Sequence, residues 1–351
     1  MSIDHGYRPV STGGARRRTL SCRAEALPLA APFRISGHTF TSANVLVVTL
    51  EAGGATGRGE ASGVYYFDET PESMRAQVEA CREALEGGAS REEVQALLPP
   101  GGARNAVDCA LWELEALLAG RSVWELAGVD VLAPLVTTFT LGAEDPAVMV
   151  QRAQGFADAR ALKLKLTGDV DLDGERVRAV RDARPEVWLG VDANQGFTPD
   201  ALDALMPVLL ACRVSLVEQP FPRGREADLD GLERPIPVAA DESVLTAADV
   251  AALAGRFDVV NIKLDKCGGL TAALEMADEC RRAGLSVMVG NMVGSSWAMV
   301  PSMIVGQRSD VVDLDGPALL ARDRVPGVRY EGGRIVCPPG VWGGAAGPEG
   351  R

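Results

Sequence analysis

The sequence predicts an α/β protein: a (β/α)₈-type, TIM-like barrel with an α+β capping unit. Three observations predict it. Beyond residue 125, short β-rich runs alternate with helical stretches, the pattern of a parallel sheet with crossover helices. There are eight runs, and each ends in a polar residue spaced 22 to 28 residues from the next, about one strand–helix unit. The first hundred residues instead read as antiparallel strands followed by helices.

In chain order, a strand ends near Phe33-Arg34-Ile35 and another spans Asn44–Glu51, followed by the turn Ala52-Gly53-Gly54. Thr70-Pro71-Glu72 offers an N-cap with proline at the first helical position, and Ser90-x-x-Glu93 has capping-box spacing. A helix over 103–118 places Val107, Leu111, Leu114 and Leu118 on one apolar stripe and is closed by Gly120. The expected division is a capping unit over 1–125, a barrel over 126–320, and a C-terminal segment over 321–351 packing back on the cap. The barrel runs are Val136–Leu141, Ala161–Leu166, Val187–Asn194, Val214–Pro220, Pro237–Ser243, Asp258–Leu264, Ser286–Met292 and Asp310–Asp315.

Composition narrows the function. The chain has 351 residues, and 48 acidic against 35 basic side chains give a net charge of −13. That repels nucleic acid and anionic membranes and leaves a small molecule as the expected partner. No run of about 18 apolar residues suggests a membrane span, and Arg16-Arg17-Arg18 is not followed by the apolar stretch of a signal peptide. Seven scattered cysteines, none in a C-x-x-C pair, point to reduced thiols in a cytoplasm. Whether the protein is a monomer or a homo-oligomer stays open.

The strand ends carry the chemistry. Asp192 in VDAN, Glu218 in VEQP and Asp241 in ADES stand on three consecutive runs. Three acids at one barrel mouth repel one another unless a cation lies between them, and carboxylate oxygens suit Mg²⁺. Lys163 and Lys165 in ALKLKL leave one strand on the same face, and Lys263 in NIKLDK stands on the sixth run across the barrel. Lysines embedded in apolar strands are rarely without function. A pKa lowered by a metal, by other lysines and by partial burial makes them usable bases. Lys266, just past the strand, is read as solvated. Two bases flanking one metal permit proton removal on one face of a carbon and redelivery on the other, which is racemisation or epimerisation. The only histidines, His5 and His38, precede the barrel, which excludes a barrel-borne histidine base or zinc site.

GRGEA, ARNAVDCALWELEALLAG, KLK, VDANQ, VEQP, ADES, NIKLDKCGGL, VGNMVGSS and VVDLDGP together resemble the muconate-lactonising branch of the enolase superfamily. Within it they resemble the dipeptide epimerases, such as L-Ala-D/L-Glu epimerase. Nearly the whole chain takes part, and the resemblance implies the modified (β/α)₇β form of the barrel. The resemblance implies one Mg²⁺ held by Asp192, Glu218 and Asp241, with Lys165 and Lys263 as opposed acid/bases. It implies Lys163 as the substrate-carboxylate contact and tuner of Lys165, and Thr140 and the Asn291 backbone as further contacts. Asp313-Leu314-Asp315 would receive the substrate's α-ammonium group. An N-succinylamino-acid racemase, o-succinylbenzoate synthase or muconate cycloisomerase would share the lysines, but their substrates lack that ammonium. A catalytically dead scaffold would have lost a ligand or a lysine.

One departure concerns specificity. In Ala-Glu epimerases a covering-loop arginine pairs with the glutamate side chain. FRISGHTFTSANV places Phe40 at that point, with His38 nearby, and Tyr65, Tyr66 and Phe67 stand in the other covering loop. A hydrophobic or uncharged second residue is therefore expected, against the alternatives of a glutamate dipeptide or of protonated His38 serving as the cation.

Overall fold

A computed structural model describes residues 17–35 and 37–344. His5, Arg16, Ser36 and residues 345–351 lie outside the described residues.

Three antiparallel strands, Thr19–Ile35, His38–Ala52 and Ala55–Ser62, open the chain. Gly53 and Gly54 turn the second hairpin with φ of 59° and 78°, a conformation that favours glycine. Val45, Leu46, Val47 and Val48 are all fully buried, because both faces of this strand are covered. Leu46 and Val48 pack on the helix Gly102–Ala119, whereas Val45 and Val47 pack with Leu320, Val293 and Trp297 of the barrel side. That explains an apolar run without alternation. The helix presses directly on the third strand: a Cβ at Gly59 would lie 1.9 Å from the Ala106 carbonyl oxygen, so GRGEA needs its glycine.

Helices Pro71–Ala80 and Arg91–Leu97 begin on the Thr70/Ser73 and Ser90/Glu93 capping boxes. Gly120 ends the long helix at φ 65°. Leu118, expected on the buried stripe, is 39% exposed, while Val107, Leu111 and Leu114 are buried. The stripe stops at Leu114 because the last turn of the helix runs past the sheet it covers.

All eight barrel strands are present as one parallel sheet whose neighbours follow chain order: Thr138–Leu141, Ala161–Lys165, Trp188–Asp192, Leu216–Glu218, Val238–Ala240, Val259–Ile262, Ser286–Val289 and Val311–Val312. Each is shorter than its β-rich run: the first gives up its start, where Val136 pairs instead with Arg334 in a separate antiparallel ladder, and the others end before their runs do. Side chains tie the first strand to the eighth: Leu314 N–H donates to Thr137 Oγ1 at 2.8 Å, Thr140 N–H to Asp315 Oδ2 at 2.6 Å, and the Thr138 hydroxyl to Asp313.

Two units depart from strict alternation. After Glu218 the proline-rich segment forms only the 3₁₀ turn Glu226–Leu229, and the eighth strand is followed only by Gly316–Leu319. The chain end then returns toward the cap. Arg324 meets Glu60 and Glu25, both at 2.7 Å, and Trp342 Nε1 donates to the Arg58 carbonyl at 2.7 Å. Among the described residues no helix is long and apolar enough to cross a membrane.

Candidate active site

Register builds the site. Lys165, Asp192 and Glu218 are successive Cα partners across three neighbouring strands, and Thr140 pairs with Lys163. Asp241, Lys263 and Asp313 each stand one residue past the fifth, sixth and eighth strands, and Asn291 two past the seventh. The ends of a parallel barrel therefore gather them at one mouth.

The carboxylates of Asp192, Glu218 and Asp241 are buried, and one oxygen from each lies within 4.8 Å of the others. Lysines surround them. Lys165 Nζ is 2.5 Å from Asp192 Oδ2, and Lys163 Nζ is 3.1 Å from Glu218 Oε2 and 3.8 Å from Asp192 Oδ2. From the opposite wall, Lys263 Nζ is 2.6 Å from Asp241 Oδ2. Lys163 also donates to Asp313. Three buried acids with converging oxygens fit a hard divalent cation, magnesium above all.

The chain beyond these ligands is tightly bent. Asn194, Gln195 and Gln219 follow Asp192 and Glu218 at φ of 43°, 67° and 35°, a region non-glycine residues rarely adopt and one that marks functional turns. The bend returns Asn194 N–H to Asp192 Oδ1 at 2.8 Å. Gln219 makes all four of its amide bonds: Oε1 accepts from Asp241 N and Ser243 N, while Nε2 donates to Phe221 O and Ser243 Oγ. It locks the Glu218 and Asp241 strand ends together. Asn261 Nδ2 holds Glu218 Oε1 at 2.6 Å.

One sequence-based expectation is corrected. Lys266 is 2% exposed rather than solvated: its ammonium donates to the Asp241 carbonyl, to Asp241 Oδ1 at 2.6 Å and to Asn261 O at 3.2 Å. The short helix Leu264–Cys267 turns it back under the barrel mouth. Burial acts to lower the Lys263 pKa, but the facing carboxylates of Asp241, Glu218, Glu242 and Asp192 outweigh it and hold Lys263 above the ordinary lysine value; a cation among those acids acts in the opposite sense. Lys163 is raised likewise: burial opposes the shift, and Asp313, Glu218 and Asp192 overcome it.

The acids divide. Burial, then Asp192, pushes Glu218 up to about 7. Burial and Asp313 push Asp315 up to about 6. Asp241 is held well below the usual carboxylate range, because Lys263 and Lys266 overcome its burial.

A cavity of about 630 Å³ opens above this cluster, walled by Lys165, Asp241, Lys263 and Asn291 from the barrel and by Phe40, Tyr65 and Tyr66 from the cap. Lys163, Asp192, Glu218, Thr140, Asp313 and Asp315 are buried and lie outside its lining, as does His38. The His38 ring is exposed and stacks on Phe40 with centroids 5.4 Å apart, 5.0 Å from Tyr65. Asn291 Nδ2 donates to the Asp313 carbonyl at 2.5 Å, so Thr140 and Asn291 both brace the Asp313–Asp315 turn. Gln219, Asn261 and Glu242 escaped the sequence reading. The signal available for them was polarity inside or beside otherwise apolar runs.

Residues 146–341 match the family described as enolase C-terminal domain-like, and residues 17–128 match the mandelate racemase / muconate lactonizing enzyme N-terminal domain. The chain is 39% identical to the L-Ala-D/L-Glu epimerase of Escherichia coli K12 over 318 residues, covering 91% of this chain and 99% of that protein. Its fold superposes with a TM-score of 0.90 on an enolase family member from Agrobacterium tumefaciens with homology to dipeptide epimerases, bound to L-Ala-L-Glu. The two are 41% identical, over 93% of this chain and 100% of that one. A dipeptide epimerase from Methylococcus capsulatus, complexed with Mg and L-Arg-D-Lys, gives a TM-score of 0.86 at 31% identity, covering 92% and 98% of the two chains. With its antiparallel cap, its eight-stranded barrel and its acidic trio set among lysines, the chain belongs to the mandelate racemase / muconate lactonizing enzyme family of the enolase superfamily.

Proposed function

We propose that this protein is a Mg²⁺-dependent dipeptide epimerase. It would act by 1,1-proton transfer at the α-carbon of the C-terminal residue of an L-Ala-Xaa dipeptide, with Xaa hydrophobic or uncharged. One observation carries the reading: Lys165 and Lys263, from strands two and six, reach the same acidic cluster from opposite walls, at 2.5 Å from Asp192 and 2.6 Å from Asp241. An α-carbon held above the trio has an amine on each face.

When bound by Asp192, Glu218 and Asp241, Mg²⁺ supplies positive charge to the substrate carboxylate, where negative charge develops as the α-proton leaves. One lysine takes that proton, and the other, protonated, delivers one to the opposite face. Lys163, 3.1 Å from Glu218, would meet the same carboxylate and tune Lys165. Asp313 and Asp315, braced by Thr140 and Asn291, would receive the α-ammonium group, a charge-assisted pairing.

Phe40 and Tyr65 support the side-chain preference. Their rings stand 5.4 Å apart on the cavity wall, where no arginine among the described residues lines the space a substrate carboxylate would enter. The names of similar proteins include both glutamate and cationic dipeptides, so the second residue varies among relatives. A cytoplasmic location belongs to the same reading and is supported by the seven scattered cysteines, all free. The test is chiral analysis of L-Ala-L-Leu incubated with the protein: L-Ala-D-Leu forms with Mg²⁺ and not with excess chelator.

A further inference from the structure

The cavity wall carries polar atoms that neither the acidic trio nor the lysines explain. The Tyr66 hydroxyl and Glu242 Oε2 are both buried and have no hydrogen-bond partner among the described residues, and both residues line the cavity. Glu242 is only 1% exposed. A buried polar atom left unpaired is costly, so these two, with Asn194 Oδ1 likewise unpartnered on the same lining, mark a place built to receive a ligand.

They come from different parts of the chain. Tyr66 sits in the 3₁₀ turn Tyr65–Phe67 of the cap, and Glu242 follows Asp241 beyond the fifth barrel strand. Burial, Asp241 and Glu242 together raise the Tyr66 hydroxyl, which keeps it a neutral donor. The Tyr65 ring, 5.1 Å from that of Tyr66 and 5.4 Å from that of Phe40, makes the approach to this pair aromatic. The wall is apolar along the stem and polar at the tip.

On the epimerase reading, on which this inference rests, the α-carbon between Lys165 and Lys263 belongs to the second residue. Its side chain then extends along the wall toward Tyr66 and Glu242. An aliphatic chain would leave both atoms unpaired. A hydroxyl or carboxamide accepts from Tyr66 and donates to Glu242, satisfying both. We propose that Tyr66 and Glu242 form a subsite for a hydroxyl- or carboxamide-bearing side chain on the second residue of the dipeptide.

The experiment compares near-isosteric pairs, L-Ala-L-Tyr against L-Ala-L-Phe and L-Ala-L-Gln against L-Ala-L-Met, by kcat/KM for the Mg²⁺-loaded native protein and Tyr66→Phe. The native protein is expected to favour the tyrosine and glutamine dipeptides by about tenfold or more, as sites built to hydrogen-bond a substrate group do. Tyr66→Phe should bring both ratios toward one. Equal rates within each native pair, or ratios unchanged in Tyr66→Phe, would overturn the subsite and leave ordered water as the partner of both atoms. Failure of all four dipeptides to epimerise would instead remove the epimerase reading, and the subsite with it.

Discussion

Lys266 holds Asp241 at both ends, its ammonium donating to the main-chain carbonyl and, at 2.6 Å, to Oδ1 of the same residue. With Lys263 on Oδ2 at 2.6 Å, the Asp241 carboxylate is oriented before any substrate arrives. Removing one partner from a buried pair leaves an uncompensated charge. Lys266→Met should therefore lower stability by about 3 kcal/mol, read by urea unfolding. Mg²⁺ should recover more stability in the variant than in the native protein, because the cation compensates Asp241. A change within about 0.5 kcal/mol, the range of ordinary surface substitutions, would show that Lys266 contributes little.

A second prediction concerns pH. Asp265 accepts from Ser62 N–H at 2.9 Å and Asn105 Nδ2 at 3.1 Å, joining the cap to the loop after the sixth strand. Burial pushes its carboxyl up to about 7 from 3.8. The fold thus favours the neutral form. As pH rises from about 4 to about 7 the unfolded chain ionises while the folded one stays protonated, so stability falls, by about 4 kcal/mol across that window. Asp265→Asn keeps the acceptor oxygen and removes the titration. Its margin of stability over the native protein, measured by denaturant unfolding, should grow between pH 5 and pH 7.5. Parallel pH profiles would contradict the assignment.

The strand-end residues were legible because chemistry interrupts pattern: a lysine or acid at the end of an apolar run has no packing reason to be there. The strand boundaries were less legible. The run Val214–Pro220 contains only Leu216–Glu218 as strand, because the chain bends directly beyond Glu218, where Gln219 takes a φ of 35°. What stayed hidden depends on contacts distant in sequence. Lys266 reads as a surface residue of a short helix until the Asp241 carbonyl is brought beneath it, and Gln219 shows no periodicity at all. The meeting of Tyr66 and Glu242 on one cavity lining crosses from cap to barrel, so no local window contains it.

For the metal site, Asp192→Asn, Glu218→Gln and Asp241→Asn should each reduce kcat/KM by at least about 100-fold, since a catalytic cation stabilises developing charge by several kcal/mol. Each should also weaken Mg²⁺ binding in calorimetric titration. Native-like affinity in all three would remove the trio from the metal site.

Side-chain selectivity turns on Phe40. L-Ala-L-Phe and L-Ala-L-Leu should exceed L-Ala-L-Glu in kcat/KM by about 10- to 100-fold, the equivalent of desolvating an unpaired carboxylate at about 1.5–3 kcal/mol. Phe40→Arg should move the preference toward the glutamate dipeptide. A native preference for L-Ala-L-Glu would show that another group supplies the cation, His38 being the nearest on the same rim.

The central claim is that Lys165 and Lys263 act on opposite faces of one α-carbon. The direct measurement is proton NMR of L-Ala-L-Leu and L-Ala-D-Leu in D₂O with Mg²⁺, using the native protein, Lys165→Ala and Lys263→Ala. The native protein should place deuterium at the second α-carbon of both isomers while interconverting them. Each variant should lose epimerisation, with any exchange that survives confined to one isomer, and to opposite isomers in the two variants. Interconversion at native rate in either variant, or exchange of both isomers in both, would contradict the two-lysine account.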